Sequence, residues 1–145
     1  MKITYFEFSD STWNFSPVVF KDYLNLFVGE SGSGKTRLLN VLFNITNFAA
    51  KNDRFCAGNW KMDFSHKGKR YQWEYNGISE DKDKNKITLE ILRDLDANGE
   101  ELITRSENSL KFKGNPVPKL SSSTSAIYLF KEEESITGAH EAAAS

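Results

Sequence analysis

Gly29-Glu30-Ser31-Gly32-Ser33-Gly34-Lys35-Thr36 decides how the rest of the chain is read. The stretch fits G-x-x-x-x-G-K-[ST], the P-loop pattern, and stands between two segments of opposite character. Before it runs Tyr23-Leu24-Asn25-Leu26-Phe27-Val28, an apolar segment of strand type; after it comes Leu38-Leu39-Asn40-Val41-Leu42-Phe43-Asn44-Ile45, of helical type. A strand that turns through glycines into a helix N-terminus is an anion trap. The glycines let backbone N–H groups curl around phosphate oxygens, and the first-turn amides and helix dipole favour negative charge. In that geometry Lys35 reaches the β- and γ-phosphates of a nucleotide and the Thr36 hydroxyl ligates Mg²⁺. Gly29, Ser31, Gly32, Ser33, Gly34, Lys35 and Thr36 are the binding residues this reading expects.

The whole-chain numbers narrow the setting. At 145 residues the chain suits one domain with a proper core, not two. A net charge of −1 gives no bulk electrostatic case for nucleic acid. The single cysteine, Cys56, excludes an intrachain disulfide and fits a reducing interior; beside Phe55 it reads as a small buried hydrophobe. Met1-Lys2-Ile3-Thr4-Tyr5-Phe6-Glu7-Phe8 alternates like a strand, unlike a signal peptide. No apolar run approaches the roughly 20 residues that cross a bilayer. The chain reads as cytoplasmic, with no membrane partner.

Along the chain, a first strand at the N-terminus turns at Ser9-Asp10-Ser11, and Val18-Val19-Phe20 reads as a second. After the glycine-rich stretch, apolar residues at 38, 39, 42, 45, 48 and 49 give a helix with one buried face, ending near Lys51-Asn52-Asp53. Trp60, Met62 and Phe64 then alternate, Lys67-Gly68-Lys69 turns, and Tyr71, Trp73 and Tyr75 alternate back, a β-hairpin with an aromatic face. Ile87, Leu89 and Ile91, then Leu102-Ile103-Thr104 and Leu110-Lys111-Phe112, continue an antiparallel meander. Ser121-Ser122-Ser123-Thr124-Ser125 reads as a linker, or as turns or a helix cap. Ala126-Ile127-Tyr128-Leu129-Phe130 reads as a buried strand, and the tail over 136–145 as flexible or helical, with no convincing apolar face.

The run Leu24 through Leu39, followed by antiparallel strands rather than further βα units, resembles the N-terminal lobe of ABC-type ATPase heads. The SMC/RecF-like and OLD-like ATPases of DNA repair and phage defence are the most similar in layout. That family commonly has asparagine where Ser31 stands. A weaker echo is Ile87-Thr88-Leu89-Glu90-Ile91-Leu92 with the two strands after it. The resemblance implies an α/β (α+β-like) fold: a P-loop strand and helix with an antiparallel β subdomain over about 55–120, inside a lobe over 1–135 whose parallel core is incomplete. It implies ATP and Mg²⁺ as cofactors. It also places Trp13-Asn14-Phe15-Ser16 where such heads contact base or ribose, so that Phe15 joins the binding residues; plain packing of a surface loop is the alternative.

ATP hydrolysis by such heads needs an acidic pair after an apolar strand, a serine-glycine signature, a glutamine at the lobe junction and a late histidine. Leu120-Ser121-Ser122-Ser123 lacks the glycine. With residues 126–130 at the junction, Lys131 stands where the glutamine belongs, and Glu132 or Glu133 would assist the metal; a strand end with solvated charges is the alternative. His66 and His140 have no partner that argues for catalysis. The expected function is therefore ATP binding, with hydrolysis depending on a second subunit or a missing C-terminal lobe. With one clear helix available, either another chain completes the fold or an apolar sheet face is left uncovered.

Two other readings compete. A small P-loop kinase needs an arginine-bearing lid, but Arg93 and Arg105 fall in the meander. A nucleotide-gated module for protein or DNA would use Lys61, Lys67, Lys69 and Arg70 near the hairpin, against the plainer reading of solvated turn charges.

Overall fold

Aromatic alternation builds the centre of the molecule. The computed structural model describes residues 1–20, 35–80, 84–118 and 120–145, less the side chains of Phe15, Ser16 and Lys35. Strands β3 (Gly58–His66) and β4 (Lys69–Ser79) form a hairpin paired from Gly58↔Gly77 to His66↔Lys69. Its two-residue turn holds Lys67 at φ 51° and Gly68 at φ 80°, the left-handed pair that matches the twist of the flanking strands. Trp60, Met62, Phe64, Tyr71, Trp73 and Tyr75 are all buried on one face. Trp60 and Tyr75 stack with centroids 3.9 Å apart.

The meander continues through β5 (Asn85–Asp94), β6 (Glu100–Ser106), β7 (Leu110–Phe112) and β8 (Asn115–Pro116). On the other side of β3 lies β1 (Lys2–Ser9), which also pairs with β2 (Asn14–Val19). Among the described residues this makes one eight-stranded sheet in the order β2-β1-β3-β4-β5-β6-β7-β8. Every pairing is antiparallel.

That sheet overturns the α/β expectation of a P-loop strand in an incomplete parallel core. The reason lies in the connections. Lys67-Gly68, Asn98-Gly99 and Lys113-Gly114 place consecutive positive-φ residues at tight reversals, and a tight reversal yields only antiparallel neighbours. The one long excursion, from β2 to β3, also returns the chain antiparallel to β1. Residues 23–28, expected as the P-loop strand, lie outside the described residues, as do Gly29, Ser31, Gly32, Ser33 and Gly34.

The apolar sheet face is covered by helices of this chain, where another chain or an open face was expected. Helix α1 (Lys35–Lys51) buries Leu38, Ile45, Phe48 and Ala49, residues spaced to share one side of a helix. Helix α3 (Glu134–Ala144) buries Ile136, Ala139, Ala142 and Ala143. Apart from Ile136 its apolar face is made of alanines, and the sequence showed no such face because alanine carries little hydrophobic signal.

Residues 126–130, expected as a buried strand, form the short helix α2 (Ala126–Leu129). Ser125 caps it, its Oγ accepting a hydrogen bond from the Ile127 amide at the helix start. The same hydroxyl donates to Glu90 Oε2 at 2.7 Å, and the Ala126 amide donates to Glu90 Oε1 at 2.7 Å. Trp73 Nε1 donates to Glu90 Oε2 at 3.0 Å, and Arg105 Nη1 lies 3.8 Å from Oε1. Glu90 is fully buried. Burial pushes its carboxyl above the ordinary range, while Arg105, the Ala126 amide, Ser125 and Trp73 pull the other way. The carboxylate thereby pins α2 to the sheet. Among the described residues, no helix is long and apolar enough to cross a membrane.

Candidate functional site

Lys35 and Thr36, the last two residues of the glycine-rich motif, open α1. The residues before Lys35 lie outside the described residues, and from Lys35 the chain is helical for 17 residues. Thr36 is exposed in its first turn. That turn holds Lys35 and Arg37 and no acidic residue. Helix N-termini favour acids, so this one carries the charge suited to a bound anion rather than to its own dipole.

Arg37 reaches across to the turn between β1 and β2. Its Nη2 donates to Thr12 Oγ1 at 2.9 Å, and its guanidinium sits 4.6 Å from the centroid of the Trp13 ring. Asp10 holds that turn in shape. Its Oδ1 accepts from the Thr12 amide at 2.9 Å, the Thr12 hydroxyl at 3.1 Å and the Trp13 amide at 2.8 Å. Partial burial raises the Asp10 carboxyl, but the bonds from Thr12 and Trp13 and the charge of Arg37 outweigh it and leave it below the ordinary value.

Trp13 leads inward from there. Its ring lies 6.1 Å from Phe8, Phe8 stacks on Trp60 at 6.4 Å, and Tyr75, stacked on Trp60, meets Phe48 of α1 edge-on at 5.7 Å. The aromatic brought to the first turn of α1 is thus Trp13. Phe15 sits in β2 opposite Phe8 in register, with its side chain outside the described residues. The sequence reading missed Arg37. The available signal was a second cation in the first turn of a helix that begins with lysine.

The other candidates are placed away from this turn or occupied. His140 Nε2 lies 2.8 Å from the Ala50 carbonyl oxygen, at the opposite end of α1. At 1.5 Å per residue that is about 22 Å from Lys35. His66 Nε2 is 3.7 Å from Glu141 Oε2. Glu132 and Glu133, expected either to assist the metal or to be solvated charges at a strand end, are exposed between two helices. Lys131 Nζ sits 3.7 Å from the Tyr128 ring centroid. Arg93 is held on the outer sheet face by Gln72 and Glu74, and Arg105 is buried with Nη1 donating to the Thr124 carbonyl, so neither is a lid arginine.

The hairpin cations are paired: Lys67 with Glu141, Lys69 with Asp94 and Arg70 with Asp96, at 3.6, 3.3 and 2.9 Å. Lys61 stands in register between Glu7 and Glu74. Among the described residues, no three His, Cys, Asp or Glu side chains gather as metal ligands. A P-loop Mg²⁺ needs no such cluster, because phosphate oxygens, water and the Thr36 hydroxyl supply its shell. Compared with models of known protein families and with curated proteins, the chain matches none.

Proposed function

We propose that the chain binds ATP with Mg²⁺ through the Gly29 to Thr36 motif, as the nucleotide-holding part of an ABC-type ATPase. The carrying observation is that the last two motif residues, Lys35 and Thr36, lie in α1, with Thr36 exposed and no acid in that turn. The bound phosphates would meet the free amides of that turn, and Thr36 would ligate the metal.

Hydrolysis is assigned to residues outside this chain, supplied by a second subunit or a further lobe. Leu39 and Phe43 support such a contact: they stand one turn apart on α1 and are 55% and 66% exposed. The paired hairpin cations give no separate support to a DNA-binding surface.

Isothermal titration of Mg-ATP into the wild type and Lys35→Ala tests the reading. The variant is expected to lose at least about tenfold in affinity, since a charge-assisted phosphate contact is removed. Equal affinity for both proteins would end the assignment. Phosphate release by the wild type alone at the rate of a working ATPase would overturn the division of labour.

A further inference from the structure

Arg37 is not needed to complete the glycine-rich motif, yet its guanidinium leaves the helix to meet Thr12 and Trp13. We infer that Arg37 is a positioning residue, fastening the first turn of α1 to the β1–β2 turn and carrying the arrival of phosphate at Lys35 and Thr36 through to Trp13. The inference rests on the nucleotide reading above and adds to it a route by which binding is sensed.

Two contacts and a stiff turn make the route. The Arg37 guanidinium donates to Thr12 Oγ1 at 2.9 Å, joining residues 25 apart in sequence. It also lies over Trp13 at 4.6 Å, where the ring face attracts a cation. The receiving turn is itself stiff, because Asp10 Oδ1 accepts from the Thr12 amide and hydroxyl and from the Trp13 amide, and the Asp10 amide donates back to the Trp13 carbonyl at 2.8 Å. A rigid turn clamped by a guanidinium moves with the helix turn that carries it. Arg37 follows Thr36 directly, so any shift of the first turn onto a phosphate displaces the guanidinium over Trp13. Lysine cannot reproduce the clamp, since it has no planar fork that can donate to Thr12 while lying over the ring.

The test uses full-length protein labelled with 5-fluorotryptophan, followed by ¹⁹F NMR and calorimetry during titration with Mg-ATP. The chain has three tryptophans, and the resonance missing from Trp13→Phe identifies the reporter. In the wild type the Trp13 resonance is expected to shift on saturation. In Arg37→Ala it is expected to start elsewhere and stay there, with affinity about fivefold weaker for loss of the hydrogen bond and ring contact. Arg37→Lys should restore part of the affinity. Thr12→Val, which removes the Arg37 hydrogen bond and the hydroxyl's bond to Asp10 but leaves the guanidinium over Trp13, gives a second measurement should Arg37→Ala prove unfolded by circular dichroism.

Unchanged affinity and an unchanged Trp13 response in Arg37→Ala and Thr12→Val would overturn the inference. So would a ligand-bound wild-type resonance that coincides with that of Arg37→Ala, because Arg37 would then leave Trp13 for the phosphate. Lys35→Ala separates the two claims. If it binds Mg-ATP as well as the wild type, the nucleotide reading fails and the inference falls with it. If it weakens binding while Arg37→Ala does not, the positioning role alone fails.

Discussion

Gly138 of α3 faces the hydroxyl of Tyr71 on β4 so closely that a Cβ at position 138 would overlap Tyr71 Oη. Tyr71 is buried, and its rigid ring has no far end that can swing away. Gly138→Ala should therefore destabilise the protein by about 1–3 kcal/mol through overpacking, despite the roughly 1 kcal/mol that alanine gains over glycine within a helix. Tyr71→Phe in the same chain removes the colliding oxygen and leaves the ring carbon at 3.4 Å, so the double variant should recover most of the loss in urea melts. Additive losses would mean that α3 does not rest on Tyr71.

Glu90 presents two oxygens to three hydrogen-bond donors with Arg105 nearby. An amide offers one oxygen and sets an NH₂ against a donor. Glu90→Gln is expected to cost about 3 kcal/mol, the scale of breaking a buried ion pair. Hydrogen exchange at the Ala126 amide should rise more than at the β3–β4 hairpin. A loss under about 0.5 kcal/mol, the range of an ordinary surface substitution, would show that the carboxylate does not pin α2.

Asp10 ties the proposed site to acid stability. Its carboxyl is held below the ordinary 3.8. A carboxyl held low contributes stability that is fully present above its unfolded value and is lost as pH falls through its folded value. Wild type and Asp10→Asn should therefore differ most above pH 3.8 and converge below it, as read by urea midpoints across that range. A difference that grows on acidification would give the opposite sign and remove Asp10 as the turn's anchor.

Cys56 should be inert while the protein is folded. Burial pushes its thiol from 9.0 up to about 12, Asp53 adding and Arg54 opposing, and Sγ lies 3.5 Å from the Asn44 carbonyl oxygen. At pH 8 the folded chain then holds about a thousandfold less thiolate than an unshifted thiol, and thiolate is the species that reacts. A thiol reagent should label urea-unfolded chain rapidly and folded chain at a small fraction of that rate. Equal rates would place the thiol in water.

What the sequence disclosed followed the range over which its signals act. The hairpin was legible because Trp60 to Phe64 and Tyr71 to Tyr75 alternate strictly around Lys67-Gly68, and a two-residue turn fixes register by itself. Residues 126–130 misled because a short apolar run does not distinguish a strand from a buried turn of helix; the deciding contact, Ser125 to Glu90, joins residues 35 apart. The parallel core was imported from the layout around the motif, whereas the connections between the described strands, the β2–β3 excursion aside, are reversals. At the site, the motif is linear and could be read directly. The clamp of Arg37 on Thr12 and Trp13 depends on how the excursion between β2 and β3 folds back, which no local pattern encodes.

That excursion has a consequence in time. Strands β3 to β7 each pair with the next across short turns, whereas β1 pairs with β3 only after residues 10–57 have been closed into a loop. Short loops close early and long ones late, so the meander can zip before the β1 seam is sealed. In the finished protein, seams that close late and lie toward a sheet edge are the first to open. The proposed nucleotide grip spans this seam, with α1 on one side and the β1–β2 turn on the other. A ligand held there would slow amide exchange in β1 far more than in the meander, acting as the clasp on the last part of the chain to close.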